Sequence, residues 1–130
     1  MKRLVFISLA ILLLCPVMVN ATELEKMKIA VAASSKTAKA SVSNMAAKCP
    51  YYLIFNNKGE LIEVIDNPYR DASGGAGPSA ANFLAQRDID IIVAGSFGSK
   101  MIDALRNSGK THFEFKGRVD DAVKRVLQLS

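Results

Sequence analysis

The run Ile89-Asp90-Ile91-Ile92-Val93-Ala94 is almost unbroken in its apolar character and sits between two segments with helical spacing. A run of this kind fits a strand covered on both faces, and that demands helices packed against a sheet. The segments around it agree. Pro78 to Arg87 sets Ala80, Phe83 and Leu84 on one face, with Pro78 suited to the first helical position. Ser99 to Ser108 groups Met101, Ile102 and Leu105, and Gly109 follows as a helix C-terminal cap.

Upstream, Met27 to Ala33 reads as a short buried strand and Ser34 to Ala47 as a polar loop. Tyr51 to Phe55 and Leu61 to Ile65 flank Asn56-Asn57-Lys58-Gly59, which spells a β-hairpin, and Asn67-Pro68 ends its second arm. Downstream, Thr111 to Phe115 is a short strand with Phe113 and Phe115 on one side and His112 with Glu114 on the other. Val119, Ala122, Val123, Val126 and Leu127 form the clearest helical stripe in the chain. The order β-β-β-α-β-α-β-α predicts one α/β domain over residues 28–129, a mixed five-stranded sheet with flanking helices.

Residues 1–21 read as a secretory signal peptide. Lys2 and Arg3 precede an apolar stretch from Leu4 to Cys15, and Val19-Asn20-Ala21 offers small residues where a signal peptidase cuts. The stretch is short of the roughly 20 residues a spanning helix needs, and Pro16 interrupts it. Cleavage predicts a periplasmic or secreted protein with no stable membrane insertion. The leader holds two of the 17 basic residues and none of the 12 acidic ones, so the net charge falls from +5 to +3. Mild basicity in an exported protein points to small anions and away from nucleic acid. Cys15 leaves with the leader, so Cys49 has no internal disulfide partner. It reads as a small buried hydrophobe or, beside Met45, as a soft sulfur donor.

Two glycine loops offer chemistry. Gly75-Ala76-Gly77-Pro78-Ser79-Ala80 satisfies G-x-G-x-x-A, but it follows a hairpin arm and a long loop where a dinucleotide fingerprint must follow the first strand tightly. Gly95-Ser96-Phe97-Gly98-Ser99-Lys100 follows the buried strand and opens a helix, where backbone N–H groups and the helix dipole attract anions. It lacks the spacing of a phosphate-binding P-loop. Both helix N-termini are expected at one edge of the sheet, shaping a pocket for an anion. Tight turns and close packing are the competing use of the same glycines.

The stretches IAVAASS, S-x-x-x-x-x-C-P-Y-Y-L-I-F, NP-x5-GGAG-x-x-A and DIIVAGSFG-x-x-x-x-x-L-x-x-x-G resemble the nitrogenase iron–molybdenum cofactor-binding family, over about Lys28 to Val126. The resemblance implies a ribonuclease-H-like fold and a non-catalytic role in binding or carrying an anionic metal–sulfur cluster of the iron–molybdenum type. It implies an association with a donor or acceptor protein as well. It assigns Gly74, Gly75, Gly77 and Ser79 to the edge facing the cofactor, together with Gly95, Ser96, Gly98, Ser99 and Lys100. Many members carry a Ser, a variable position that is sometimes His, then Phe-Gly, a basic residue and Pro. This chain keeps Ser43, Lys48 and Pro50, but has Met45, Ala46 and Ala47 between them. Met45, Cys49 and the lone His112 are the candidate metal donors.

Two other readings compete. Two-metal nuclease or phosphotransferase chemistry needs clustered carboxylates, and the first strand supplies none. A protein-interaction module that keeps the fold without a metal would draw on Tyr51, Tyr52 and Tyr69.

Overall fold

The computed structural model describes residues 26–129, so the leader expected at residues 1–21 lies outside them. The elements are β1 (Lys28–Ala33), β2 (Tyr51–Asn56), β3 (Leu61–Asp66), α1 (Ala76–Gln86), β4 (Ile91–Ala94), α2 (Ser99–Asn107), β5 (Thr111–Glu114) and α3 (Val119–Leu129). They build a five-stranded sheet of order β3-β2-β1-β4-β5. β1, β4 and β5 run parallel, while β2 is antiparallel to both of its neighbours.

Alternation along β1 explains the layers. Ala30 and Ala32 face α1 and α2, packing with Ala80, Leu84, Ile92, Met101 and Leu105. Ile29, Val31 and Ala33 face α3, packing with Leu53, Val93, Val119, Val123 and Val126. Every residue from Ile29 to Ala33 is inaccessible to solvent, which is why this strand reads as continuously apolar. Burying one Leu or Ile side chain in these layers contributes about 1.5–3 kcal/mol.

The hairpin closes as its sequence demands. Asn56 Oδ1 accepts from the backbone N–H groups of Lys58 and Glu60, both at 3.0 Å, and Gly59 turns at φ 80°. α1 begins two residues before Pro78, with Gly75 in the left-handed region at φ 68°. Pro78 is therefore the third helical residue, still within the first four whose N–H groups have no helical partner. Residues 89–90, expected inside β4, precede it. There Asp90 Oδ2 accepts from the Lys28 backbone N–H at 2.9 Å and ties the strand's entry to β1. α2 ends as expected: Gly109, at φ 73°, donates to Arg106, and the Lys110 N–H donates to Leu105 O at 2.8 Å.

The segment after β1 is irregular but anchored. Val42 pairs with Ala33, Ser41 bridges Arg118, and the Ser43 N–H donates to Ala32 O at 2.8 Å. Among the described residues, no helix is long and apolar enough to cross a membrane.

Candidate functional site

The parallel strands β1 and β4 end side by side, so the chain segments that leave them share one edge of the sheet. Gly95 donates its N–H to Ser43 O at 2.8 Å, and Ser96 bonds Asn44 O through its N–H at 3.1 Å and its hydroxyl at 2.7 Å. A Cβ on Gly95 would lie 2.3 Å from Asn44 Oδ1 and 2.9 Å from Asn44 Cα, so this glycine serves the close approach of two chain segments. A Cβ on Gly77 would lie 3.2 Å from Met101, which brings the first turns of α1 and α2 together as expected.

Gly74, Gly75 and Gly98 behave differently. All three are exposed, and a Cβ on any of them would meet nothing within 4 Å. At Gly98, with φ −72° and ψ 152°, neither packing nor backbone conformation requires glycine. What glycine leaves there is open approach to backbone N–H groups. Neither α1 nor α2 has a side chain capping its N-terminus or an acid in its first turn. α3, by contrast, opens with Asp120 and Asp121. Two positive helix ends are thus left uncompensated at one edge, available to an external anion.

Cations reinforce this edge. Tyr51 begins β2 opposite Ala33 at the end of β1. Lys36 Nζ and Arg70 Cζ each stand 5.4 Å from the centroid of its ring, reaching it from two different loops. Attraction to the ring face holds both charges where β1 ends and β2 begins. Lys100, exposed in the first turn of α2, adds a third. Arg70 and Asn44 escaped the sequence reading, because both belong to loops whose positions are set only by distant pairing.

The expected metal donors fall into different surroundings. Met45 is 52% exposed, next to Asn44 on the open edge. Cys49 is fully buried beneath it, within the layer that packs α1 and α2. Its thiol faces Ala46 O at 3.9 Å and receives Asn67 Nδ2 at 3.8 Å, while Tyr52 donates its hydroxyl to the same Ala46 carbonyl. Burial pushes the Cys49 thiol up from 9.0 to about 11, only partly countered by hydrogen bonds from Tyr52 and Asn67. The thiol is neutral at pH 7. His112 is half-buried on β5, its ring edge-on to Phe97 of the β4–α2 loop at 5.1 Å between centroids. That contact ties it to the glycine loop, on the sheet face opposite Phe113. The structure therefore gathers Met45, the two glycine loops and His112 around one edge, with Cys49 under its floor. Among the described residues, no group of three or more His, Cys, Asp or Glu stands close enough to hold a metal ion.

The raised pKa of the Cys49 thiol makes stability depend on pH. The folded state holds its proton more tightly than the unfolded chain, so the associated stability is intact below about pH 9 and is lost as pH rises towards about 11. A urea series from pH 8 to 11 is expected to show this decline in the native protein and a flatter one in Cys49→Ala. The native thiol is also expected to resist alkylation by iodoacetamide at pH 8 until the protein is unfolded.

A groove of about 340 Å³ lies at the other end of β1, lined by Lys26, Met27, Lys28, Asn56, Ile62 and Asp88. It is remote from the glycine loops and carries none of the features above.

Comparison with known proteins identifies the family and the fold. The family model for the dinitrogenase iron-molybdenum cofactor matches residues 27–129. The fold is similar to that of the orange protein from Desulfovibrio gigas in its apo form, with a TM-score of 0.74 and 27% identity, covering 78% of this chain and 88% of that one. A Thermotoga protein assigned to NifB aligns with a TM-score of 0.67 at 23% identity, over 78% of this chain and 88% of its own. A Methanocaldococcus jannaschii protein assigned as a dinitrogenase gives a TM-score of 0.55 at 16% identity, with the same coverage of 78% and 88%. These last two establish likeness of fold. No curated protein matches the chain in sequence.

Proposed function

The chain belongs to the dinitrogenase iron-molybdenum cofactor family, and from that premise we propose that it binds and carries an anionic metal–sulfur cofactor at the glycine-loop edge without catalysing a reaction. The observation that carries this reading is the pairing of two uncapped helix N-termini with exposed glycines whose Cβ positions are empty. Such an edge lets a bulky anion approach backbone N–H groups, and Lys36, Arg70 and Lys100 supply opposite charge. The cargo is held mainly by N–H groups and charge. Met45 adds a soft sulfur contact and His112 an imidazole one in this reading. Cys49 stays protonated beneath the edge and ligates only if the loop above it opens.

The leader pattern of residues 1–21 supports export, and we place the carrier in the periplasm or outside the cell. Amino-terminal sequencing of the protein from its own cells tests this. A chain beginning at Thr22 is expected, and one that retains Met1 sinks the proposal.

The function is tested by elemental and sulfide analysis with an absorption spectrum on protein isolated without oxygen from its cell envelope, beside Gly98→Ser. Serine at this N-cap adds a side-chain acceptor for the helix N–H groups, so stability is expected to hold or rise by a few tenths of a kcal/mol. The same hydroxyl fills the approach to those groups, and bound molybdenum, iron or copper with sulfide is expected to drop by about tenfold. Native protein free of metal and sulfide would overturn the carrier reading. Unchanged loading in Gly98→Ser would remove the α2 N-terminus from the site.

A further inference from the structure

Away from the cofactor edge, we propose that β3 is a docking strand for an extended cationic segment of a partner protein, which adds to the sheet as a sixth strand. β3 ends the sheet order, so one side pairs with β2 and the other, among the described residues, has no strand beside it and presents its backbone N–H and C=O groups. Three of its four apolar residues are unusually open: Leu61 and Val64 are each 40% exposed and Ile62 is 50% exposed, while Ile65 is buried in the α1 and α2 layer. Between Glu60 and Asp66 there is no Lys, Arg or Pro, the residues that commonly blunt an edge. The opposite edge is protected. β5 has only four residues and is flanked by Lys110 and Lys116.

Charge decides the occupant. The chain carries +5, yet Glu60, Glu63 and Asp66 make this edge acidic. Arg87 reaches Glu63 at 3.4 Å, but both side chains remain about half exposed, a contact that surface screening makes weak. Pairing of two β3 strands from two copies would bring three carboxylates from each onto one seam, which disfavours self-association. A strand with alternating basic and apolar residues meets no such penalty. Register fixes the alternation: Glu63 lies opposite Ile54 on the α1 and α2 face, while Leu61 and Val64 lie opposite Phe55 and Leu53 on the α3 face. Cations of the added strand therefore face Glu63, and its apolar residues extend the Leu61–Val64 strip. β3 runs at Asp66 into the loop that carries Arg70 and Gly74, so chain continuity links the docking strand to the glycine-loop edge.

The probe is a blocked hexapeptide alternating lysine and valine, titrated into ¹⁵N-labelled protein expressed from the full-length sequence. Saturable amide shifts confined to residues 61–66 and their β2 partners are expected, with none from the glutamate–valine counterpart. Val64→Lys is expected to weaken binding at least about tenfold by introducing like charge on the edge, and Val64→Thr to retain it. A dispersed spectrum establishes that each variant folds. Equal response to both peptides, or shifts centred on the glycine loops, would overturn the proposal. So would a sedimenting dimer that Val64→Lys dissociates, which gives the edge to a second copy. Contacts from residues before Lys26 to β3 would likewise give it to the chain's own N-terminal segment.

Discussion

Asn67→Ala is expected to lower stability by about 3 kcal/mol in urea denaturation, a large fraction of what a domain of this size possesses. Asn67 is 2% exposed, the one buried polar or charged side chain among the described residues. Its Nδ2 donates to Ala47 O at 2.8 Å and Cys49 O at 2.9 Å, and its Oδ1 accepts from the Tyr69 N–H at 3.0 Å. One amide thereby ties the segment before β2 to the loop after β3, the loops that lead to Met45 and to the glycines before α1. Alanine removes three bonds at once and strands carbonyls that the protein interior cannot satisfy. Asn67→Asp separates hydrogen bonding from volume. It is nearly isosteric but turns a donor into an acceptor facing two carbonyls, so a loss at least as large is expected. A variant as stable as the native protein would show that water replaces the amide.

The sheet was legible because its signals are local. Alternation, the Asn56–Gly59 turn and the Gly109 cap each act within a few residues, and every strand and helix expected from them is present. Boundaries moved where tertiary contact overrode pattern, as where Asp90 is spent on Lys28 before β4 begins. The edge was half legible. Glycines beside a strand end and a helix start announce an open approach, and Gly98 fits that use. Gly95 looks the same in sequence yet serves packing, a difference that emerges only once Asn44 is placed against it. Cys49 and Met45 invited a pairing by composition. Four residues of irregular chain carry one inward to Asn67 and leave the other in solvent.

Gly95→Ala is expected to cost about 2–4 kcal/mol and to abolish cofactor loading, because one methyl group attacks both the fold and the site. The near contact at 2.3 Å is with the end of the Asn44 side chain, which can rotate away, but the one at 2.9 Å is with its Cα. Relief requires the backbones to part. Parting them stretches the bonds from Gly95 N–H to Ser43 O, 2.8 Å, and from Ser96 N–H to Asn44 O, 3.1 Å, which seat the two loops on each other. Met45 moves with Asn44, and Phe97 with its contact to His112 moves with Ser96. Asn44→Ala in the same background removes only the nearer clash, so it is expected to restore less than half of the lost stability. Gly98→Ala, three residues on with nothing within 4 Å of the new Cβ, is the control and is expected to cost no more than about 1 kcal/mol, the difference between glycine and alanine at a helix N-cap. If Gly95→Ala matched that control, the two loops would be loosely seated and the edge could not hold its N–H groups in a fixed array. If instead it lost stability yet kept its cargo, binding would rest on Lys36, Arg70 and the α1 N-terminus alone.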